Sequence, residues 1–158
     1  MSGLTVIGVG NRLRGDDAIG PMVIDALRKK PDPRVILVDA GSDALGILEY
    51  LDDQDAVVII DACRMHKEPG SVVVFAPSEA TLILEDDPLS LHGLGLGESL
   101  RMAESLQMLP RKTKIIGIEP DSIQFTGKLS KPVSRALNIA IEKVQDELIE
   151  VTELIETN

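Results

Sequence analysis

The chain alternates short apolar runs, often β-branched, with longer stretches in which apolar residues recur at helical spacing. The short runs predict five strands, because β-branched side chains suit a pleated sheet. They cover Leu4 to Val9, Val35 to Val38, Val57 to Ile60, Val72 to Phe75 and Lys114 to Ile118. The third run is apolar at every position, which is typical of a strand covered on both faces of its sheet.

The longer stretches predict four helices. They cover Ile19 to about Lys30, a segment after Ser42, Ser99 to Leu109, and Pro132 to about Ile155. Ser42 is predicted to cap the second helix, whose inward face is formed by Leu45, Leu48 and Leu51. In the fourth helix, apolar spacings of three, four or seven predict one buried face. Its acids predict a solvated face, formed by Glu142, Asp146, Glu147, Glu150 and Glu153.

Alternating strands and helices predict an α/β fold, a three-layer α/β/α sandwich around a mostly parallel five-stranded sheet. The fourth strand follows the third through the short turn Lys67 to Gly70, so it is predicted to be antiparallel. In such folds, ligands bind beyond the carboxyl ends of the strands. A functional site is therefore expected in the loops after Val9, Val38, Ile60 and Ile118.

Charge and composition exclude several classes of protein. The formal net charge of −10 repels polyanions and argues against nucleic-acid binding. A single cysteine, Cys63, excludes an internal disulfide and is expected to be a small buried side chain. No secretory signal is recognisable, and no uncharged stretch reaches the ~20 residues of a membrane helix. We therefore expect a cytoplasmic protein without membrane insertion.

Polar and acidic residues concentrate in the loops where the fold predicts a site, more than helix capping requires. Asp16 or Asp17, taken alone, is explained as a cap for the helix that begins near Ile19. Asp61 ends a wholly apolar strand, where a half-buried carboxylate must be hydrogen-bonded, paired or metal-bound. The full set is Asn11, Asp16, Asp17, Asp39, Asp61 and Glu119.

These residues predict a possible metal site. A carboxylate from the first loop, Asp61 and the imidazole of His92 form an O, O, N donor set for a divalent ion. Three protein ligands leave coordination positions open, as in a working site. A lone histidine such as His92 is nevertheless more often a structural residue, and His66 is expected to be solvated.

Two other α/β classes compete for the same residues. Gly8-Val9-Gly10 with Asp39 imitates a dinucleotide-binding fingerprint, but Leu13 replaces the third glycine and two acids lie where a pyrophosphate would bind. A response-regulator receiver also has an acidic pair and an aspartate ending its third strand, here Asp61. In this chain, however, six residues separate the first strand from the acids. Both alternatives are therefore weaker.

Several segments form one combined pattern. They are Gly8 to Pro21, with Gly-x-Gly-Asn four residues before an acidic pair closed by Gly20, then Asp39-Ala40-Gly41, Asp61-Ala62, His92 and Gly117-Ile118-Glu119-Pro120. This pattern resembles the hydrogenase maturation endopeptidases, and the resemblance covers nearly the whole chain. Ala18 stands where many members have glycine, and Glu119 where some have glutamine.

The resemblance implies one hydrogenase maturation protease-like domain over residues 1–158. It implies an endopeptidase that removes the C-terminal extension from the large-subunit precursor of a [NiFe]-hydrogenase after nickel insertion. Asp17, Asp61 and His92 match the metal-contacting residues of the family, whose nickel is carried by the substrate. Zinc or cadmium is expected to occupy the site in vitro.

Asp17 and Asp61 are the expected catalytic carboxylates, either of which can activate water. Asn11, Asp39 and Glu119 are predicted to bind the substrate, and Asp16 to cap the helix or brace the Gly10 to Gly15 loop. The protein is expected to be a monomer. A metal-sensing chaperone of the same precursor, without peptidase activity, is the alternative from a different functional class.

Overall fold

The computed structural model describes residues 3–84 and 95–157, and within these ranges five strands form one sheet. The strands are β1 (Leu4–Gly8), β2 (Val35–Asp39), β3 (Ala56–Ala62), β4 (Val72–Phe75) and β5 (Lys112–Ile118). Their order is β2-β1-β3-β5-β4. All neighbours are parallel except β4 and β5, which confirms the predicted mostly parallel sheet with one antiparallel strand.

The antiparallel strand β4 lies beside β5, although β3 precedes it along the chain. The loop of residues 63–71 carries the chain past the end of β5, which pairs with β3 on one side and β4 on the other. Its end is tied to the residue after β5, since Gly70 N–H donates to the Glu119 carbonyl over 2.8 Å and Glu119 N–H donates to the Ser71 carbonyl over 2.9 Å. This loop is called the β3–β4 loop below.

Helices cover both faces of the sheet, which confirms the three layers. They are α1 (Ile19–Arg28), α2 (Ala80–Ile83), α3 (Leu96–Ser105) and α4 (Lys131–Glu156). α1 and α4 share an aliphatic core on one face, where Val23, Ile24 and Val144 are buried. The core on the opposite face includes Ala80 of α2 and Leu100 of α3.

The segment after β2 differs from the predicted α-helix capped by Ser42. Residues Ala44–Tyr50 form a 3₁₀ helix, and the Asp43 side chain, rather than Ser42, accepts the Leu45 N–H. Leu51 is buried as predicted, whereas Leu45 and Leu48 are only partly buried. Ala44 and Ile47 are buried in their place, so the inward face of this segment is displaced by one residue from the predicted one.

α4 has the predicted division into a buried and a solvated face. Val133, Val144 and Val151 are buried, and four of the five predicted surface acids are exposed. Glu147 is the exception, because it is half-buried and its burial raises the pKa of the carboxyl. Within residues 3–84 and 95–157, no helix has the length and apolar character needed to span a membrane.

Candidate active site

Residues 9–18, which we call the β1–α1 loop, connect the centre of the sheet to α1. Val9 N–H donates to the Ile60 carbonyl over 2.9 Å, and Gly10 N–H donates to the Gly41 carbonyl over 2.8 Å. These bonds tie the loop to β3 on one side and to the segment after β2 on the other. The loop therefore lies at the carboxyl ends of the central strands, where the sequence predicted a site.

Two glycines allow this loop to pack against the sheet. Gly10 has a φ of +148°, and a Cβ there would lie 1.8 Å from the carbonyl oxygen of Asp17. Gly20, at the start of α1, brings the helix against the strand ends, since its Cβ would lie 2.3 Å from the Val9 oxygen and 2.7 Å from the Ile60 oxygen. Any side chain at either position would push the acidic pair away from β3.

Asp17 is fully buried in the 3₁₀ turn Gly15–Ala18. Its Oδ2 accepts the backbone N–H of Asn11 over 2.8 Å, a bond that closes the β1–α1 loop on itself. A hydrogen bond to a carboxylate is charge-assisted and fixes the orientation of the acceptor. The sequence motif therefore places Asn11 and Asp17 as one unit, in which the backbone of Asn11 holds the acid.

Asp61 lies near the end of β3 and is 2% exposed. Side chains alternate along a strand, so Asp61 shares the face of Val57 and Ile59, whose core also includes α3. The 3₁₀ turn that carries Asp17 contacts β3 directly. The segments that carry the two acids proposed as catalytic are therefore in contact.

The thiol of Cys63 is influenced by the same group of nearby acids. Burial raises its pKa well above the usual value, and the negative charges of Asp61, Glu119 and Asp17 raise it further. Cys63 is buried, as the sequence predicted for a small apolar side chain. A raised pKa favours the protonated thiol, which is the weaker nucleophile.

Asp16 was predicted either to cap the helix or to brace the Gly10 to Gly15 loop, and its contacts favour the bracing role. Its Oδ1 accepts the Ser130 N–H over 2.7 Å, and its Oδ2 accepts the N–H groups of Asp121 and Ser122 and the hydroxyl of Ser130. The prediction of a helix cap is wrong, because among the described residues no side chain caps either the 3₁₀ turn or α1. Asp16 instead joins the β1–α1 loop to residues 119–130, which we call the β5–α4 loop.

Asn11 and Asp39 belong to a second set of contacts at the same edge. The Asn11 Oδ1 accepts the Leu13 N–H over 2.9 Å. Arg12 makes a two-pronged contact with Asp25 of α1 and donates to Asp39 Oδ2 over 2.8 Å. Both bonds to Asp25 raise the pKa of Arg12 and lower that of Asp25. Arg12 therefore ties the loop to α1 and to the end of β2.

Glu119 follows β5 and is 7% exposed. Its Oε2 accepts the Met65 N–H over 2.8 Å, and its Oε1 accepts the Lys67 N–H over 3.0 Å. Both carboxylate oxygens are thus engaged by the β3–β4 loop. The structure gives Glu119 a bracing role, which the sequence did not predict, and its contact with substrate stays a prediction.

His92, the third predicted metal ligand, lies outside the described residues. Residues 3–84 and 95–157 contain no group of three or more histidine, cysteine or acidic side chains able to hold a metal. Asp17 and Asp61 supply two carboxylates, a donor type that divalent ions accept. α3, which begins shortly after His92 along the chain, packs on the face of the sheet to which Asp61 belongs. His66 is exposed, as predicted.

Sequence reasoning missed the polar residues that hold this site. Ser130 immediately precedes α4 and has a proline two residues later, a pattern that predicts a helix cap. Its hydroxyl is nevertheless directed to Asp16. Arg12 gave no local signal, because its partners Asp25 and Asp39 are 13 and 27 residues away along the chain.

Comparisons with known proteins identify the family of the chain. Residues 21–147 match the family model of the hydrogenase maturation proteases, a range that includes Asp61 and Glu119. The hydrogenase 2 maturation protease of Escherichia coli strain K12 is 29% identical over 144 residues, which are 89% of this chain and 87% of that protein.

Solved structures are similar over almost the whole fold. The hydrogenase maturating endopeptidase HybD from E. coli has a TM-score of 0.79 at 26% identity, covering 94% of this chain and 93% of that one. A hydrogenase 2 maturation peptidase from a Thaumarchaeota archaeon has a TM-score of 0.68 at 31% identity, covering 93% and 98%. The chain is a peptidase that belongs to the hydrogenase maturation protease family.

Proposed function

We propose that this peptidase removes the C-terminal extension from the large-subunit precursor of a [NiFe]-hydrogenase, in the cytoplasm and after nickel has been inserted. Family membership supports a hydrogenase precursor as the substrate. The observation that carries the proposal is the pair of buried carboxylates, Asp17 at 0% and Asp61 at 2% exposure, held at the carboxyl ends of the strands.

The metal in this proposal belongs to the substrate. Asp17, Asp61 and His92 would contact the nickel of the precursor and so distinguish a loaded precursor from an empty one. A bound divalent ion would also polarise the carbonyl of the bond to be cleaved. The buried carboxylates fit such an ion, because a buried charge is stabilised by a partner of opposite sign.

Hydrolysis in this site requires an activated water. Asp17 or Asp61 would accept a proton from water, whose oxygen attacks the peptide carbonyl. The C–N bond then breaks and the leaving amine takes up the proton. The Asn11 N–H fixes the orientation of the Asp17 carboxylate, and the position of Asp61 within β3 fixes its backbone. Fixed acceptors need little rearrangement in the transition state.

Asn11, Asp39 and Glu119 are the proposed substrate-binding residues, and the contacts around them support unequal roles. The side chain of Asp39 is 24% exposed and lies beside Arg12. It can therefore contact a peptide bound at the carboxyl edge of the sheet. Asn11 and Glu119 would act mainly through the loops they hold, because their side-chain oxygens accept backbone N–H groups.

The deciding experiment is incubation with the purified precursor, followed by mass spectrometry of its C-terminus. Nickel-loaded precursor should lose its extension, whereas precursor without nickel should stay intact. Equal cleavage of both forms would contradict the nickel signal but retain the peptidase. Binding of the loaded precursor without cleavage would favour the metal-sensing chaperone.

Calorimetric titration tests the proposed metal contacts separately. The isolated protein should bind nickel, zinc or cadmium weakly at one site, because three protein ligands leave coordination positions open. His92→Ala should weaken this binding. Binding that is absent, or unchanged by His92→Ala, would contradict the proposed ligand set.

A further inference from the structure

The β3–β4 loop makes a tight turn around the carboxylate of Glu119. The two oxygens of Glu119 accept the N–H groups of Met65 and Lys67, over 2.8 and 3.0 Å. His66 lies between the two donors and has a φ of +56°, a left-handed conformation that is uncommon for a residue with a side chain. A left-handed residue in such a turn directs neighbouring N–H groups toward one anion. The turn at residues 65–67 therefore depends on the charge of Glu119.

Side chains of the same loop cover the strand position beside Asp61. In the register of the sheet, the partner of Asp61 on β5 is Gly117. A Cβ on Gly117 would lie 2.9 Å from Met65 Sδ and 3.3 Å from Cys63 Cβ. Partners on neighbouring strands point to the same face and are about 4.8 Å apart. Met65 and Cys63 therefore lie next to the side chain of Asp61, in the space that Gly117 leaves open.

The position of Met65 depends on where its backbone is held. The residue is 4% exposed and belongs to the same buried cluster as Val57 and Ile59, on the face that Asp61 shares. A methionine side chain is apolar and flexible, so it excludes water but does not fix its own place. The bond from the Met65 N–H to Glu119 supplies the missing restraint.

We propose that Glu119 and Met65 are positioning residues for Asp61, an inference that rests on the proposed function. Glu119 holds the turn, and the turn keeps Met65 in the space beside the Asp61 carboxylate. Without either residue, that carboxylate can rotate into the space over Gly117 and water can enter. A small displacement of a reacting group lowers the rate of the chemical step, so kcat should fall and KM should not. A substrate-binding role for Glu119 would instead raise KM.

Cleavage kinetics with nickel-loaded precursor test this assignment. Glu119→Ala and Met65→Ala should each lower kcat about tenfold and change KM by less than about twofold. Glu119→Gln keeps one acceptor oxygen and should be milder, and Met65→Leu fills the same space and should retain most of the rate. The double alanine variant should lose little more than either single variant, because both changes act on Asp61 through the same turn.

Thr113, near the start of β5, provides the matched control. It is 5% exposed, and its hydroxyl donates to the Pro110 carbonyl over 2.7 Å. Thr113→Val removes this buried hydrogen bond at the opposite end of the strand that Glu119 follows. It should lower the thermal midpoint as Glu119→Gln does, but leave kcat and KM unchanged. A loss of kcat in Thr113→Val as large as in Glu119→Gln would assign the effect to general stability and overturn the positioning role.

A second measurement does not depend on cleavage. The ¹³Cγ resonance of Asp61, assigned through Asp61→Asn, should shift in Glu119→Ala and Met65→Ala and stay in place in Thr113→Val. Met65→Ala changes no charge, so its effect on this resonance measures the surroundings of the Asp61 carboxylate rather than the loss of a neighbouring acid.

The outcomes separate this inference from the proposed function. An unchanged resonance and an unchanged kcat in Met65→Ala and Glu119→Ala would overturn the inference, even if the precursor is cleaved. A raised KM with unchanged kcat in Glu119→Ala would also overturn it and assign Glu119 to substrate binding. Shifted resonances in both variants, in a chain whose wild type does not cleave the precursor, would support the positioning of Asp61 and reject the proposed function.

Discussion

In the β1–α1 loop two adjacent aspartates are fully buried, whereas four of the five acids on the predicted solvated face of α4 lie exposed. Asp17 accepts a hydrogen bond from the backbone of Asn11 within the same loop, and Asp16 accepts four from a loop more than 100 residues away along the chain. The exposed acids on α4 remain hydrated. The number of acids in a segment thus says little about its function, and the donors that the fold brings to each acid say much more.

The largest expected effect is the loss of activity when a buried site acid loses its charge. Asp17→Asn keeps the size of the side chain and an oxygen that can accept the Asn11 N–H, so the protein should stay folded. Cleavage of nickel-loaded precursor should fall about 100-fold or more, because the variant loses a charge that is proposed to activate water or to contact the metal. Asp61→Asn should behave in the same way.

The matched control for both variants is Glu153→Gln, which neutralises an exposed acid of α4. It should leave the cleavage rate unchanged. Cleavage by Asp17→Asn and Asp61→Asn at the wild-type rate would mean that neither acid activates water. The buried acids would then contribute no more to activity than the exposed acids of α4.

Substitution of Asp16 should lower the free energy of unfolding of the protein. Asp16→Ala leaves three backbone N–H groups and one hydroxyl without their acceptor and should lower the free energy of unfolding by roughly 4 kcal/mol. Asp16→Asn replaces one acceptor by a donor and should lower it by roughly 2 kcal/mol. Urea denaturation measures both values.

The observed contacts of Asp16 lead to a different prediction from that of a helix cap. If Asp16 were a helix cap, asparagine would be almost as good as aspartate, and Asp16→Asn would be mild. The contacts with the β5–α4 loop predict instead that Asp16→Asn destabilises more than Asp17→Asn. The reverse order of stabilities would contradict the bracing role of Asp16.

Two glycines with positive φ, Gly10 and Gly127, allow a similar comparison of the backbone. Gly10→Ala places a Cβ against the Asp17 carbonyl and should destabilise the protein by about 3 kcal/mol through strain and overlap. Gly127 also has positive φ, +65°, but a Cβ there would have nothing within 4 Å. Gly127→Ala should therefore cost about 1 kcal/mol. Equal midpoints of thermal unfolding would show that the contact between Gly10 and Asp17 is not tight.

Local pattern predicted the sheet and placed the segments that carry Asp17 and Asp61 at one edge of it, because apolar runs define strands and parallel strands end at one edge. It did not predict the partners of Asp16, which lie 105 to 114 residues away along the chain. It also missed the 3₁₀ helix after β2, where Asp43 rather than Ser42 provides the cap. Such contacts depend on which loops the fold brings together, and no short window of sequence contains them.

The smallest expected effect concerns Glu147, the half-buried acid of α4. Burial raises its pKa above the usual value of 4.5, and Glu150 raises it further, whereas Lys114 lowers it. In the folded protein the charged form is therefore disfavoured, so this group lowers stability as the pH rises through its raised pKa.

Glu147→Gln removes that charge and should stabilise the protein at pH 7 by up to about 0.5 kcal/mol. The gain should shrink as the pH falls toward 4.5 and the wild-type carboxyl takes up its proton. Glu153→Gln is the matched control at an exposed position and should leave the stability at pH 7 unchanged. A gain that stays constant from pH 7 to pH 4.5 would mean that Glu147 is as well hydrated as the other acids of α4.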